Sequence, residues 1–539
     1  MMPTSLNSQD AISQEAVSQE AVSQEAVSQE AVFTFLSDPA THAGQKVTRI
    51  DTHGAAVFLA GDRVLKVKRA VRFPFLDYST LDKRKAACEA ELEVNRPFAP
   101  QIYRRVVAIT KDDAGRLSFD GDGKPEEWAL EMQRFDENAT LDRLADDGKI
   151  DAKLADELGR VVASAHRTIP VADADAWIAA LGEYVEQNDE AFREWPALFP
   201  AGEAETFTDA SRRALEELQP LLRKRGEMRL IRRGHGDLHL GNIALIGDNP
   251  VLFDAIEFDP MVASGDVLYD LAFLLMDLVE RDLRPQANIV LNRYLAETRR
   301  DDDLDALAAL PFFMGMRAAI RAKVTAAKLT HADDENKPAI ESSAKAYFVL
   351  ATKLITPPTP MLIAVGGLSG TGKSVLARAL AAHILPEPGA VVLRSDVMRK
   401  RLFDAAETDK LPKDAYMPEV SETIYTMLNE QARRVLAAGH SAIIDAVFAK
   451  PEERELVAEL AANLVNAGKV PFHGFFLTAD LDTRIKRVGG RINDASDADA
   501  NVVRTQADYD LGTMNWTQVD ASGTPADTLA RTRKALTGQ

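Results

Sequence analysis

The fold of the C-terminal part is decided by one stretch, Gly367-Leu368-Ser369-Gly370-Thr371-Gly372-Lys373-Ser374, which has the pattern G-x-x-x-x-G-K-S of a phosphate-binding loop (P-loop). Apolar residues 361–365 precede it and have the length of a buried strand. Residues 375–382 follow it and favour helix. Glycines let backbone N–H groups turn toward phosphate oxygens at a helix N-terminus, so this order predicts a nucleoside triphosphate site.

The side chains of the loop have separate predicted roles. We expect residues 367–374 to bind phosphate, with Lys373 reaching the β- and γ-phosphates. The Ser374 hydroxyl is expected to ligate Mg²⁺. The chain contains no Asn-Lys-x-Asp motif for reading guanine, so the predicted nucleotide is ATP.

Two further apolar strands of this part end in acids. Residues 391–396 form the first and end in Asp396, with Arg399 three residues later. Residues 441–446 form the second, which carries Asp445 where a Walker B acid is expected to bind Mg²⁺. A later predicted helix carries three arginines at helical spacing: Arg484, Arg487 and Arg491.

These features resemble the P-loop kinases of the polynucleotide kinase, gluconate kinase and zeta-toxin group. The resemblance implies that Asp396 deprotonates an acceptor hydroxyl and that Arg399 binds the acceptor. Helix capping is the simpler alternative for Asp396, because Asp is a favoured N-cap residue. A helical insertion at about 416–436 is expected to cover the acceptor.

The arginines of the later helix occupy the place of the lid in this group. The resemblance implies that Arg487 and Arg491 stabilise charge on the transferred phosphoryl group. The alternative is a solvated helix face. For Arg484 the two interpretations are equally open.

A second set of motifs lies upstream of the P-loop. Residues 235–242 have the pattern H-G-D-x-x-x-x-N, and an apolar strand over 251–258 carries Asp254. These residues resemble the catalytic loop and metal-binding strand of the aminoglycoside phosphotransferase and choline kinase family, the small-molecule relatives of protein kinases. By that resemblance, Asp237 is the catalytic base, and Asn242 and Asp254 hold Mg²⁺.

The same family has a nucleotide-binding lysine on an early strand. Lys66, in a predicted hairpin strand at 63–68, resembles it, and Lys68 on the same strand face is a competitor. Glu91 on the following helix is the predicted ion-pair partner, with Glu89 as the second choice. The glycine-rich loop of the family is reduced to one glycine in residues 52–56.

The order of the motifs predicts two globular domains. The expected fold class is an α+β bilobal kinase-like N-terminal domain followed by an α/β P-loop domain with a parallel sheet. The N-terminal domain combines a small antiparallel sheet with a helical lobe that includes one long helix over 303–330. The combination resembles bacterial fusion proteins with an aminoglycoside-phosphotransferase-like half and an ATP-binding P-loop half. The predicted segments are a low-complexity tail that is disordered or weakly helical (1–32), the phosphotransferase-like domain (33–355), a Pro-rich linker (356–360) and the P-loop kinase domain (361–539).

Composition narrows the function classes. The net charge of −19 argues against a general nucleic-acid binder. The single cysteine excludes an intrachain disulfide and fits a reducing cytoplasm. We see no signal peptide, and no apolar run approaches the length of a membrane span, so no membrane partner is expected.

Two hypotheses follow from these motifs. The favoured one is an ATP- and Mg²⁺-dependent phosphotransferase that phosphorylates a hydroxyl of a small sugar-like or nucleotide-like molecule, or of a polynucleotide end. The acidic composition favours the small molecule, whereas the basic residues at 223–225 and 232–233 keep a polyanionic partner open. The alternative is an ATP-binding regulatory switch with a non-catalytic kinase-like N-terminal domain.

Overall fold

The computed structural model describes residues 29–73, 76–463, 470–490 and 495–538. The chain divides into two units, formed by residues 1–149 with 232–265 and by residues 150–231 with 266–539. Because both units draw on the segment 33–355, the domain boundary at 356–360 stays a prediction.

The strands, in chain order, are β1 (Val47–Asp51), β2 (Ala55–Ala60), β3 (Arg63–Lys68), β4 (Arg72–Phe73), β5 (Leu76–Asp77), β6 (Tyr103–Lys111), β7 (Leu117–Phe119), β8 (Lys124–Gln133), β9 (Ile231–Arg233), β10 (Ile243–Ile246), β11 (Asn249–Leu252), β12 (Ser264–Asp266), β13 (Leu362–Gly367), β14 (Val391–Arg394), β15 (Ala442–Asp445), β16 (Phe472–Thr478) and β17 (Thr517–Asp520).

The α-helices, in the same order, are α1 (29–37), α2 (Leu81–Asn95), α3 (Leu141–Asp146), α4 (Ala152–Thr168), α5 (Ala174–Glu194), α6 (Ala201–Glu227), α7 (Val267–Glu280), α8 (Arg284–Thr298), α9 (Asp301–Asp305), α10 (Leu310–Ala327), α11 (Lys337–Ile355), α12 (Lys373–Ala381), α13 (Ser395–Leu402), α14 (Pro418–Ala437), α15 (Pro451–Ala462), α16 (Leu481–Gly489), α17 (Ala500–Ala507) and α18 (Pro525–Thr537).

The first unit is built on an antiparallel sheet with the strand order β1-β2-β3-β8-β6-β7. A tight turn joins β2 to β3, as the sequence predicted, and its Gly61 has a φ of +57°, which favours glycine. Alternation along β3 buries Leu65 and Val67 in the core on one face. Lys66 therefore belongs to the opposite face of a central strand.

The last copy of the N-terminal repeat is part of this fold. The sequence predicted a disordered or weakly helical tail through residue 32, but residues 29–32 belong to α1, which packs on the sheet. The Gln29 amide donates to the Lys68 carbonyl oxygen (N–O 2.8 Å) and to Glu127 Oε2 (2.7 Å), and it accepts from the Ala70 N–H (2.8 Å). Val32 is fully buried in the core of the sheet. This correction concerns only residues 29–32, because residues 1–28 lie outside the described part.

The second unit begins with the helices α4 to α11. Its centre is α7, because every residue from Val267 to Val279 is buried. The Trp177 ring of α5 packs against the rings of Tyr269 and Phe313, at centroid distances of 5.8 and 6.1 Å. The helix predicted over 303–330 is divided into α9, a 3₁₀ turn at Ala306–Ala309 and α10, which has Pro311 in its first turn. No helix of the described residues is both long and apolar enough to cross a bilayer.

The C-terminal sheet of the second unit has the strand order β14-β15-β13-β16-β17, and all of its neighbouring strands are parallel. The helices α12 to α18 alternate with these strands along the chain. The α/β P-loop fold predicted for this part is therefore confirmed, as is the α+β fold of the N-terminal part. In a parallel sheet the carboxyl ends of the strands meet at one edge, and here they bring β13, β14 and β15 together.

Strand β14 lies at the edge of this sheet, where backbone groups lack a strand partner on one side. Helix α8 provides the missing partners. Asn292 accepts from the Val392 N–H (N–O 2.7 Å) and donates to the Ala390 carbonyl (3.1 Å). Asn288 donates to the same carbonyl (3.0 Å). The two amides thus take the place of a further strand.

We expect Asn292→Ala to loosen β14 locally, because the Val392 N–H loses its acceptor. The loss of a hydrogen bond of this kind costs about 1 kcal/mol of local stability. If amide exchange occurs through local opening of the strand, it should become about fivefold faster. Hydrogen exchange of peptides covering 390–394 measures this effect. Asn249→Ala, at an exposed position, is the matched control. Equal exchange in the two variants would contradict the role of Asn292.

Candidate functional site

The P-loop joins β13 to α12 and depends on glycine at three positions. Gly367, Gly370 and Gly372 have φ angles of +139°, +88° and +98°, a region in which other residues are strained. A Cβ at Gly370 would also lie 2.6 Å from the Arg484 carbonyl oxygen. The conformation of the loop therefore requires the glycines of the motif.

Side chains from later in the chain hold this loop. The Ser369 N–H donates to the Gln506 side-chain oxygen (N–O 2.7 Å), and Arg484 Nε donates to the Ser369 carbonyl (2.9 Å). Arg484 is buried, and burial lowers the pKa of its guanidinium. A solvated face is therefore wrong for Arg484, which instead braces the P-loop.

The start of α12 offers donors for phosphate. This helix begins at Lys373, and its N-cap residue Gly372 has no side chain to bond the N–H groups of the first turn. Such groups bind phosphate oxygens in other helix N-termini. The order of strand, loop and helix is the one that the motif predicted.

The loop forms one wall of a cavity with a volume of about 1390 Å³. Helix α14 contributes Ser421, Glu422 and Tyr425, so the predicted insertion at 416–436 forms part of the wall. The cavity brings together several residues predicted for the P-loop site: Ser369, Gly370, Thr371, Gly372, Lys373, Ser374, Asp396, Arg399 and Arg487.

Asp396 lies in the first turn of α13 rather than at the end of a strand. The strand predicted over 391–396 ends at Arg394, which is the N-cap residue of α13. Asp396 is thus inside the helix, and the capping alternative for it is wrong. Burial raises its pKa, as does Asp445, while Lys373 and Arg394 oppose the rise. A carboxyl group with a raised pKa is a stronger proton acceptor once ionised.

Asp445 ends β15 and lies beside Arg394. It is 3% exposed, and its Oδ2 lies 3.4 Å from Arg394 Nε. The oxygens of Ser374 and Asp445 are the donor type that Mg²⁺ prefers. No group of three or more His, Cys, Asp or Glu side chains that could hold a metal occurs among the described residues. Ser374 and Asp445 together fit Mg²⁺, because this ion usually takes one or two carboxylates and completes its coordination with phosphate and water.

Arg399 is held by the wall of the cavity. Its guanidinium donates to the Ala415 carbonyl oxygen and to Ser421 Oγ (N–O 3.3 Å) and lies over the Tyr416 ring, 4.9 Å from its centroid. Its Nε is buried and has no hydrogen-bond partner within the described residues. The structure thus fixes the orientation of Arg399 and leaves one donor of the guanidinium for a further acceptor.

Arg487 on α16 contacts the P-loop and the segment before α18. It donates to the Thr371 carbonyl (N–O 3.3 Å) and to the Gly523 carbonyl (2.9 Å). A solvated helix face is therefore not its environment. The second predicted lid arginine, Arg491, lies outside the described residues.

The catalytic loop predicted in the N-terminal part is held by its own side chains. Asn242 Nδ2 donates to the backbone oxygen and to Oδ2 of Asp237, both at 2.9 Å. His239 Nε2 lies 3.3 Å from the same Oδ2. The buried His235 ring donates through Nε2 to the Phe253 carbonyl (2.9 Å), which ties the loop to the residue before Asp254.

Asp254 has a left-handed backbone with a φ of +62°, a conformation that Asp tolerates better than most residues. Its N–H donates to the Tyr103 hydroxyl (N–O 3.0 Å). The buried Asn95 accepts from the Ala255 N–H (2.7 Å) and donates to the Ala255 carbonyl (3.1 Å). Sequence reasoning missed both supports, although Asn95 lies one helical turn after Glu91. The amide oxygen of Asn242 and the carboxylate of Asp254 are oxygen donors suited to Mg²⁺.

Lys66 and Lys68 both pair with Glu91. Lys66 Nζ lies 2.7 Å from Glu91 Oε1 and 3.1 Å from Asp254 Oδ1, whereas Lys68 Nζ lies 2.6 Å from Glu91 Oε2 and 2.6 Å from Glu257 Oε1. The predicted pair of Lys66 with Glu91 is thus present, and Lys66 is the lysine that reaches Asp254, the predicted metal ligand. Glu89, the second choice, is exposed and pairs with Lys85.

The charges of this cluster support one another. Burial alone would raise the pKa of Glu91, but Lys66 and Lys68 outweigh it and lower the pKa to about 2. Burial alone would lower the pKa of Lys66, but Asp254 and Glu91 hold it well above its usual value. Glu91 is therefore an anion and Lys66 a cation at neutral pH.

Two family models match the chain. The phosphotransferase enzyme family matches residues 57–310, and the AAA domain matches residues 362–509. A protein of Mycobacterium tuberculosis (strain ATCC 25618 / H37Rv), described as uncharacterized, is 29% identical over 479 residues, which are 86% of this chain and 90% of the relative.

Two solved structures show a limited similarity to this chain. A choline/ethanolamine kinase family protein from Mesorhizobium loti is 16% identical, covers 61% of this chain and 99% of its own, and has a TM-score of 0.36. A gluconokinase from Sinorhizobium meliloti 1021 is 21% identical, covers 34% of this chain and 98% of its own, and has a TM-score of 0.23.

The two family matches fall on the two sets of motifs described above, one around Lys66, Asp237 and Asp254 and the other around the P-loop. The chain therefore contains a segment that matches the phosphotransferase enzyme family, followed by a P-loop domain, the combination that its motifs predicted.

Proposed function

We propose that this protein is an ATP- and Mg²⁺-dependent kinase whose P-loop domain transfers the γ-phosphate of ATP to a hydroxyl group of a small molecule. The observation that carries the proposal is the position of Asp396. Its carboxyl group lies in the cavity that also contains Lys373 and Ser374. Base, phosphate-binding lysine and magnesium ligand thus face one space large enough for a nucleotide and a small acceptor.

In this proposal each residue has one role. The loop N–H groups and Lys373 bind the β- and γ-phosphates, and Ser374 and Asp445 hold Mg²⁺, which neutralises phosphate charge when bound. Asp396 takes the proton of the acceptor hydroxyl while the oxygen of that hydroxyl forms a bond to the γ-phosphorus. The bond from that phosphorus to the β-phosphate oxygen breaks, and ADP leaves. Arg399 orients the acceptor, and Arg487 and Arg491 stabilise charge on the transferred group.

A small acceptor is favoured over a polynucleotide end. The net charge of −19 disfavours binding to a nucleic-acid backbone. The basic residues at 223–225 and 232–233 had left a polyanionic partner open. Of these residues, Arg225 is 1% exposed and pairs with Asp266 and Asp303. We also expect a cytoplasmic protein, because a lone buried cysteine fits a reducing compartment.

The N-terminal domain is proposed as a second ATP–Mg²⁺ site, with Asp237 as base and Asn242 and Asp254 as metal ligands. Lys66 would bind the phosphates, and Glu91 would orient Lys66 as its ion-pair partner. The short β1–β2 turn, with Gly54 as its one glycine, supports the alternative of a regulatory site that binds ATP without transferring phosphate. Acceptor-dependent formation of ADP by this domain would decide against that alternative.

Lys373→Ala is expected to abolish nucleotide binding at the P-loop, because the charge aimed at the β- and γ-phosphates is lost. Calorimetric titration of the full chain with ADP and Mg²⁺ measures this loss. Lys486→Ala, at an exposed position of α16, is the matched control. Unchanged affinity and stoichiometry in Lys373→Ala would contradict the P-loop assignment.

Asp396→Asn is expected to reduce phosphoryl transfer roughly a hundredfold or more while nucleotide binding remains, because Asn cannot accept the proton. The transfer is measured with radiolabelled γ-phosphate in a screen of hydroxyl acceptors. The variant should be as stable as the parent or more so, since it removes one of two neighbouring carboxyl groups. Transfer near the parental rate would show that another group activates the acceptor.

Asp254→Ala in the Lys373→Ala background is expected to remove the nucleotide binding that remains in the N-terminal domain, because a metal ligand is lost. Asp237→Asn should leave that binding in place and stop transfer. Asp248→Ala, an exposed acid of the same unit, is the binding control. If Lys373→Ala alone leaves no binding, the N-terminal domain is not a nucleotide site.

A further inference from the structure

Helix α8 contacts the P-loop part through a charged residue as well as through its asparagines. Arg293 Nη1 donates to Glu407 Oε2 (N–O 2.9 Å), and Arg293 Nε donates to Asp156 Oδ1 of α4 (2.6 Å). The Arg293 side chain is 16% exposed. Arg293 belongs to the segment matched by the phosphotransferase enzyme family, whereas Glu407 follows α13 in the P-loop part.

The contact continues inward to the predicted metal ligand. Glu407 Oε1 lies 3.6 Å from Arg394 Nη1, and Arg394 Nε lies 3.4 Å from Asp445 Oδ2. Arg394 and Asp445 have side chains that are 9% and 4% exposed. Arg293, Glu407, Arg394 and Asp445 therefore form a chain of alternating charges, here called the charge chain, that leads from α8 to the P-loop site.

The position of Arg394 connects the charge chain to the helix that carries the predicted acceptor-site residues. Arg394 is the last residue of β14 and the N-cap residue of α13, the helix that carries Asp396 and Arg399. The pair of Arg394 with Asp445 is buried and the two pairs of Glu407 are partly buried, so salt screens them less than it screens exposed pairs, and a change in one partner affects the next. Two residues before Arg394, the Val392 N–H is bound by Asn292, the neighbour of Arg293. Helix α8 thus fixes both the backbone of β14 and the side chain at its end.

We propose that Arg293 and Glu407 are positioning residues of the P-loop site, which hold Arg394 against Asp445 and thereby orient this carboxylate for Mg²⁺–nucleotide binding. The inference rests on the proposed function of the P-loop domain and adds to it two residues outside every motif. It also makes the phosphotransferase-family segment a structural participant in the reaction of the other domain. Neither residue is among the described residues that line the cavity of the P-loop site.

The test compares full-length variants, all carrying Asp254→Ala to remove the proposed N-terminal metal site, by the Mg²⁺ dependence of their ADP binding, measured by calorimetry over a series of Mg²⁺ concentrations. Replacing a residue that orients a metal ligand typically weakens metal binding about tenfold or more. Arg293 acts on Asp445 only through Glu407 and Arg394. We therefore expect Arg293→Met and Glu407→Gln to raise the Mg²⁺ concentration needed for half-maximal ADP binding about three- to tenfold. Binding of ADP without Mg²⁺ should not change, and Arg293→Lys should restore part of the loss.

Arg160→Met is the matched control. Arg160 pairs with Asp156 and Glu297, as Arg293 does, but within the described residues it forms no ion pair with Glu407. It should bind Mg²⁺–ADP as the parent does. The double variant Arg293→Met with Glu407→Gln should lose no more than either single variant, because both changes interrupt the same chain.

A second readout on the nucleotide-free and metal-free protein separates positioning from stability. Thermal unfolding of the single and double variants measures how far Arg293 and Glu407 depend on each other for stability when no ligand is bound. If Arg293→Met lowers the unfolding temperature but leaves the Mg²⁺ requirement unchanged, the residue is structural and the inference is overturned. If the parental protein binds ADP with no dependence on Mg²⁺, the proposed function itself fails.

Discussion

The P-loop site depends on how the outer strand of its sheet is held. An edge strand has N–H and C=O groups without a strand partner, and unpaired groups of this kind are costly when water is excluded. Here the amides of Asn288 and Asn292 bind β14 from α8. Because α13 follows β14 directly, these contacts also fix the origin of the helix with Asp396 and Arg399. The hydrogen bonds that hold β14 thus also determine where Asp396 and Arg399 lie in the site.

The N-terminal site is organised by buried charge instead. Glu91 is fully buried and pairs with two lysines, and removal of one partner from such a cluster leaves a charge that burial penalises. The same helix carries Asn95, which binds the backbone beside Asp254. Helix α2 therefore fixes both β3, through its two lysines, and the backbone turn at Asp254. This rigidity suits phosphoryl transfer, which depends chiefly on positioning and electrostatics.

The sequence predicted the parts of both sites whose chemistry demands fixed spacing. The P-loop and the pattern H-G-D-x-x-x-x-N occur on consecutive residues, because phosphate and metal need donors at set positions along one loop. The supports of these loops could not be predicted, since Gln506 and Arg484 reach Ser369 across more than a hundred residues. The placement of Asp396 in a strand was wrong because periodicity cannot mark the first turn of an eight-residue helix.

The docking of α1 has a consequence for the history of the N-terminal repeat. Each copy of Ser-Gln-Glu-Ala-Val contains the glutamine and valine that Gln29 and Val32 contribute to the fold, but only the last copy is followed by Phe33 and Leu36, which complete the buried face. Duplication or deletion of upstream copies leaves these neighbours unchanged. Slippage during DNA replication can therefore change the number of copies while the copy that packs on the sheet keeps the same following residues.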